Sequence, residues 1–276
     1  MESGLYVVAT PIGNLGDITA RALEVLRAAD LIAAEDTRHT SRLLQHFSIA
    51  SPLFAYHEHS DARAQQRIMA CIAGGGVVAL VSDAGTPLIS DPGYRLVREV
   101  QEAGHRVVPL PGPCAAIAAL SASGLPTDRF LFEGFLPAKA GARTRRLQDL
   151  ASESATLVFY EAPHRVADTL NDMVATLGEQ REGLLARELT KTFETLKRAS
   201  LGELASFVAA DSNQQRGEIV LVVSGQRERD DTLSADTARL LQRLAQELPA
   251  KRAAAVVAEL TGLRKKQLYD FLLEQR

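Results

Sequence analysis

The chain has 276 residues, 46% of them hydrophobic, and 31 Lys and Arg against 34 Asp and Glu give a formal net charge of -3. That length predicts about two domains with full apolar cores, and the near balance of charge excludes a uniformly basic nucleic-acid-coating protein, so any RNA or DNA contact must be local. Cys71 and Cys114 stand apart with no Cys/His spacing for zinc, no apolar run approaches the roughly 18 residues of a membrane span, and no basic-then-apolar leader follows Met1, so a metal-free protein of the reducing cytoplasm, away from membranes, is expected.

Leu5 to Ala9 is predicted as a strand. The breaker-rich loop Thr10 to Asp17 then leads into a helix whose apolar positions Ile18, Ala22, Val25, Leu26 and Ala29 recur at helical spacing, with Asp17 placed to cap it. Leu31 to Ala34 is a second strand, and Glu35 to Thr40 opens a helix with Leu43, Leu44 and Phe47 on its apolar face. A third apolar stretch, Leu53 to Tyr56, precedes a polar helix that Gly74-Gly-Gly76 ends. Val77 to Val81 is apolar and β-branched and breaks at once into Ser82-Asp-Ala-Gly-Thr-Pro-Leu-Ile-Ser-Asp-Pro-Gly93, which sets backbone amides and a carboxylate at a strand's carboxyl end. Tyr94 to Ala103 is the next helix, His105 to Leu110 the next strand, and Pro111-Gly-Pro113 turns into the small-residue helix Cys114 to Ser121. Strands alternating with helices at this spacing predict a mostly parallel sheet covered on both faces.

Composition shifts at Ser123 to Asp128, which reads as a linker between a first αβα domain, residues 1–122, and a second, residues 123–230. In the second, Phe130 to Phe135, Thr156 to Tyr160, Gly183 to Ala186 and Gly217 to Val223 read as strands, and a basic run, Lys139, Arg143, Arg145 and Arg146, enters a helix. Residues 231–276 look entirely helical, with Leu240, Leu241, Leu244 and Leu248 on one face, a break at Pro249 and a turn at Thr261-Gly262 before a basic final helix from Arg264 to Leu273. This layout is that of a helix-turn-helix or of a plain packing hairpin.

No G-x-G-x-x-G follows a strand and no Gly-Lys pair exists, so neither a dinucleotide fingerprint nor a P-loop is supported; there is no G-x-S-x-G elbow, and His57-Glu58-His59 has the wrong spacing for a zinc helix. The remaining polar clusters fall where predicted strands end. Each alone is equally a capped turn or a surface ion pair, but their shared placement points to one cleft between two parallel sheets facing each other across their carboxyl edges.

Ala9-Thr-Pro-Ile-Gly-Asn-Leu-Gly-Asp17, Ala34-Glu-Asp-Thr-Arg38, Val81 to Gly93, Leu110-Pro-Gly-Pro-Cys-Ala115, Glu133-Gly-Phe-Leu-Pro137, Pro163-His-Arg165 and Arg187-Glu-Leu-Thr-Lys191 resemble, in order and over essentially the whole chain, the signatures of the ribosomal RNA methyltransferase branch of the tetrapyrrole methylase superfamily. The resemblance implies an α/β fold of two αβα subdomains with an interdomain cleft plus a small C-terminal helical domain. It also implies S-adenosylmethionine as donor, 2'-O-methylation of a cytidine in the decoding region of 16S rRNA in the small ribosomal subunit, and a homodimer. Two departures stand out. Ser82-Asp-Ala-Gly-Thr-Pro87 replaces the Gly-Asp-Pro type loop of relatives that methylate tetrapyrroles, and Ala162 stands where RNA-directed members often carry Ser or Thr.

Methyl transfer from a sulfonium is an in-line displacement, so positioning supplies much of the rate. The donor's ammonium and ribose want carboxylates and carbonyls, its carboxylate wants amides, and its adenine wants a flat apolar slot. Asp83, Gly85 and Thr86, the turn of Pro111, Gly112, Cys114 and Ala115, Phe159, Tyr160, Ala186, Glu218 and Ile219 meet those demands and match the superfamily's donor-binding positions, with Pro11 beside them. Asp83 and the Gly85 and Thr86 amides are the leading donor contacts, while Asp91-Pro-Gly93 is expected to shape the loop and start the next helix. A ribose hydroxyl needs a base or a cation, for which Glu35, Asp36, Glu161, His164, Arg187, Glu188 and Lys191 are candidates that the sequence leaves open. Phosphate contacts are expected from Arg38, Arg143, Arg145, Arg146, Arg165, Lys251, Arg252, Arg264, Lys265 and Lys266. A small-molecule methylase of the tetrapyrrole type and a non-catalytic ribosome-binding module are the alternatives.

Overall fold

The computed structural model describes residues 1–56, 62–91, 93–226 and 233–274. The His57-Glu58-His59 run, Pro92 and the expected boundary at 230/231 lie outside the described residues. Among the described residues no helix is long and apolar enough to cross a membrane.

The first sheet comes from β1 (Gly4–Val8), β2 (Leu31–Ala34), β3 (Leu53–Ala55), β4 (Val77–Val81) and β5 (Val107–Leu110), in the order β3-β2-β4-β1-β5. All its pairings are parallel. Parallel strands need crossovers, which here are α1 (Ala20–Ala28), α2 (Thr37–His46), α3 (Ala62–Ala73) and α4 (Tyr94–Glu102). Central strands buried on both faces have no use for polar alternation, and β2 and β4 are apolar and buried at every position. One face packs through Val25, Leu26 and Ile32, the other through Ile68, Leu80, Leu96 and Val100. Asp17 does not cap α1. It closes a short 3-10 turn, Leu15–Asp17, and the Thr19 hydroxyl accepts the Ala22 N–H instead.

α5 (Ala115–Ser121) follows β5 but packs against the second sheet, its Ala116, Ala119 and Leu120 meeting Val158, Leu184, Val220 and Val222. That sheet is built from β6 (Phe130–Phe135), β7 (Thr156–Glu161), β8 (Glu182–Arg187), β9 (Thr195–Ser200) and β10 (Ile219–Val223), in the order β6-β7-β10-β8-β9. Its other face is covered by α6 (Ala140–Leu150), α7 (Val166–Leu177) and α8 (Leu201–Ala210), around a core that includes Phe159, Leu170, Met173 and Leu204.

The expectation of two parallel sheets fails here. Only β6 and β7 run parallel; β10 is antiparallel to both β7 and β8, and β8 to β9. Residues 188–194 are too short a connection for a parallel crossover and make a hairpin instead. β9 escapes a sequence reading because Thr-Leu-Lys-Arg-Ala-Ser is an exposed edge strand whose pattern is mostly polar.

Contacts divide the chain into two units, residues 1–225 and 226–276. The second contains α9 (Ala235–Glu247), α10 (Ala250–Thr261) and α11 (Lys265–Glu274) around Leu241, Ala253, Ala254, Val257, Leu268 and Leu272. Gly262 ends α10 in the left-handed region, φ 71°, a conformation that glycine adopts at no cost because it has no Cβ, and turns the chain into α11. Leu240 departs from the expected apolar face and is 42% exposed, because Leu241, one position on, takes the inward direction.

Candidate active site

The ends of both sheets in the first unit enclose a cleft of about 460 Å³. From the first sheet come Ile12, Glu35 and the Asp83–Asp91 loop; from the second, Phe135, the Tyr160–Pro163 turn, Leu189 and Gly217–Val220. β7 and β8 reach it with their carboxyl ends, whereas antiparallel β10 enters with its amino end, Ile219 lying in register with both Glu161 and Arg187.

Two loops of the first sheet are tied together beneath it. Thr10 and Gly85 exchange backbone hydrogen bonds of 2.8 and 3.0 Å, and the Thr10 hydroxyl donates to Ser82 O at 3.2 Å. The expectation of a free Gly85 amide is therefore corrected: that N–H is bonded to Thr10 O, and the Thr86 hydroxyl donates to Pro113 O at 2.9 Å. Leu88 and Ser90, at φ 74° and 64°, bend the rest of the loop inward. Non-glycine residues rarely hold such angles unless their surroundings impose them. Asp91, expected to shape the loop, also lines the cleft, and Gly93 stands at the start of α4.

Glu35, Asp83 and Asp91 make one wall acidic. Burial pushes the Glu35 carboxyl above its usual range, and the charges of Asp91 and Asp83 add to the shift. Burial likewise raises Asp91, with Asp83 again contributing. Asp83 also braces the fold, since its Oδ1 accepts the Asp36 N–H at 2.9 Å. The opposite wall carries the aromatic side chains, with Glu161 and Glu218 beside them. Tyr160 sits edge-on to Phe132 and Phe135 at 5.0 and 5.7 Å, and its hydroxyl, which accepts the Ala116 N–H at 3.3 Å, is pushed upward by burial and by the neighbouring Cys114.

Of the residues expected at the donor, Asp83, Gly85, Thr86, Ala115, Tyr160, Glu218 and Ile219 line the cleft; Pro11, Pro111, Gly112, Cys114, Phe159 and Ala186 do not. Phe159 is excluded by strand alternation, which turns it into the helix-covered core while Tyr160 faces the cleft. Ile12, Ile89, Ser90, Phe135 and Leu189 are lining residues that composition alone did not mark.

The seven residues weighed for catalysis also separate. Glu35 and Glu161 line the cleft, but the buried Glu161 accepts from the Thr169 hydroxyl at 2.5 Å and from the Ala162 N–H at 2.7 Å. Asp36 caps α2 and binds Arg38, which holds its carboxyl down at about 2. Arg187 is buried and donates to Gln214, Phe193 O and Thr195, fastening the hairpin loop. Lys191 lies between Glu188 and Glu218 at 2.8 and 3.0 Å. Burial opposes the charge on both Glu188 and Lys191, yet their mutual hydrogen bond leaves the carboxyl lowered and the ammonium raised. Glu188 holds φ 52°, and a side chain at Gly217 would collide with its carboxylate. His164 is exposed and takes no place in the lining.

Asp36, His39 and Asp83 offer ligand atoms within 4.8 Å of one another. Asp36 and Asp83 are already engaged by protein donors, so the trio reads as a hydrogen-bonded cluster rather than a cation cage.

The expected phosphate contacts divide by burial. Arg143 is buried and donates to Asp172 at 2.6 Å, which removes it from the exposed basic run. Arg165 is turned in toward Leu136 O, and Arg146 pairs with Glu133. Arg38 and Arg145 are exposed, as are Lys251 and Arg252 at the start of α10 and Arg264, Lys265 and Lys266 at the start of α11.

Residues 4–205 match the family described as Tetrapyrrole (Corrin/Porphyrin) Methylases, and residues 231–276 match the RsmI C-terminal HTH domain. The chain is 58% identical over 275 residues to the ribosomal RNA small subunit methyltransferase I of Escherichia coli O157:H7, covering 100% of this chain and 96% of the relative. Its fold is similar to the crystal structure of the methyltransferase CobJ, with a TM-score of 0.60 at 20% identity, over 82% of this chain and 96% of that one. It is also similar to the uroporphyrin-III C-methyl transferase of Thermus thermophilus complexed with S-adenosyl homocysteine, with a TM-score of 0.54 at 19% identity, over 80% and 97% of the two chains.

Proposed function

The chain belongs to the ribosomal RNA small subunit methyltransferase I family of the tetrapyrrole methylases, and from that premise we propose that it methylates small-subunit ribosomal RNA with S-adenosylmethionine, at the ribose 2'-oxygen of a cytidine in the decoding region of 16S rRNA. The observation that carries the reading is the cleft itself, which sets the Glu35, Asp83 and Asp91 carboxylates across from the Phe135 and Tyr160 rings. Glu35, Asp83 and Asp91 suit the ammonium and sulfonium charges of such a donor, and Tyr160, Phe135, Ile219 and Val220 suit its adenine. When bound, the donor supplies an activated methyl carbon; the chain's part is to orient it, exclude water and receive a proton. Arg145 and, in the C-terminal unit, Lys251, Arg252, Arg264, Lys265 and Lys266 are the proposed phosphate contacts. The same reading has the chain acting as a homodimer in the cytoplasm without a metal.

The HTH match favours RNA over a free porphyrinoid as acceptor. The test is transfer of labelled methyl to small subunits that lack the modification, followed by digestion to nucleosides. Label is expected on the ribose of a cytidine; label on a base, or on a porphyrinoid in the absence of RNA, overturns the assignment. Calorimetry showing no donor binding would favour the non-catalytic module.

A further inference from the structure

A second cavity, of about 200 Å³, lies on the first sheet between the loop after β1 and α2, and Asp83 lines both it and the larger cleft. Leu15 and Leu43 give it an apolar side, and His39 and Arg42 a basic one. His39 and Arg42 stand three residues apart on α2 and so share a face of that helix. The volume is below that of pockets for drug-sized ligands and suits a single sugar-sized group. His39 Nδ1 lies 3.7 Å from Asp83 Oδ2, and the imidazole is largely exposed to the cavity and to solvent.

We propose that this cavity receives the ribose of the target nucleotide, with Arg42 on its phosphate and His39 as the base that takes the 2'-hydroxyl proton. The inference rests on the ribose-methylation reading above and names a residue which that reading leaves open. With Nδ1 turned toward the Asp83 carboxylate, Nε2 is the nitrogen left to accept the proton, and the carboxylate's charge faces the imidazolium that forms. In the step, the 2'-oxygen forms its bond to the methyl carbon as the carbon–sulfur bond breaks. The bonding pair stays on sulfur, which becomes a neutral thioether, and the hydroxyl proton passes to His39 Nε2 and then to water. The charged groups around His39 are Asp83 from the β4 loop, Asp36 at the cap of α2, and Arg38 and Arg42 on its own helix; Lys191, which packs against Gly13 on the cavity wall, is held by Glu188 and Glu218.

The full-length His39→Gln and Arg42→Ala variants test this. For His39→Gln the methyl-transfer rate at saturating donor and RNA is expected to fall about 100-fold or more, with donor affinity by calorimetry and the melting temperature unchanged. The acid limb of the wild-type pH–rate profile is expected to disappear. Arg42→Ala should raise KM for RNA several-fold and leave kcat within about twofold. Ribose-labelled product from the wild type together with an unimpaired His39→Gln variant, or an acid limb that persists in that variant, overturns the role of His39 alone. Label on a base in the wild-type reaction overturns both this inference and the reading beneath it. An unchanged KM in Arg42→Ala overturns the phosphate contact.

Discussion

Glu35 shows how a single side chain trades stability for binding. Its carboxyl is raised by burial and by the facing Asp91 and Asp83 charges. A carboxylate raised on folding favours the folded state below its ordinary pKa, and that contribution is lost as pH rises through the raised value. Glu35→Gln is therefore expected to raise the melting temperature at pH 7, with the gain shrinking as the pH falls through the raised value and gone below 4.5, where the group is protonated in both states. Scanning fluorimetry at both pH values reads the stability, and calorimetry should show weaker donor binding at pH 7, because a negative charge facing the donor's cationic groups is gone. A loss of stability at pH 7 would contradict the assignment of cost to this carboxylate. At this scale the sequence points to Asp83 and Tyr160 but not to Asp91, whose position depends on the left-handed Leu88 and Ser90 that fold the loop inward.

Among the elements, the parallel strands are legible because apolar β-branched runs between turn residues have one stable use, burial in a covered sheet. The hairpin edge strand β9 is not, since an exposed edge needs no apolar pattern. Helix ends lie between these cases. Ser200 and Glu203 form a reciprocal capping box at the start of α8, the Glu203 N–H lying 3.3 Å from the Ser200 hydroxyl and the Ser200 N–H 3.0 Å from the Glu203 carboxylate. Ser200→Ala should cost about 1 kcal/mol, read as a lower denaturation midpoint at unchanged slope. Donor affinity should not move, because neither residue lines the cleft. A drop in donor affinity would show that α8 reaches the site through β8.

For the whole molecule, each unit has cores of its own: four clusters in residues 1–225, and the Leu241, Val257 and Leu268 cluster in the C-terminal helices. Removing residues 231–276 is expected to leave donor binding within about twofold and to lower both RNA affinity and its salt dependence, since the exposed Lys251, Arg252, Arg264, Lys265 and Lys266 leave with the segment. Filter binding at several salt concentrations checks the second effect. An unchanged salt slope would move the phosphate contacts to the first unit.

What the sequence determined by itself was local. Strands, turns and caps follow from patterns a few residues long, and seven ordered motifs sufficed to place the family. Tertiary structure decided which of the marked residues are available. Arg143 reads as a phosphate contact and Arg187 as a catalytic candidate, but each is buried among specific acceptors; Phe159 is turned away from the cleft while its neighbour Tyr160 faces it; the Gly85 amide is bonded to Thr10. The physical reason is that a donor, an acceptor or a charge serves function only when it is left unpaired at the right surface, and pairing is settled by residues distant in sequence, as Arg143 by Asp172 and Gly85 by Thr10.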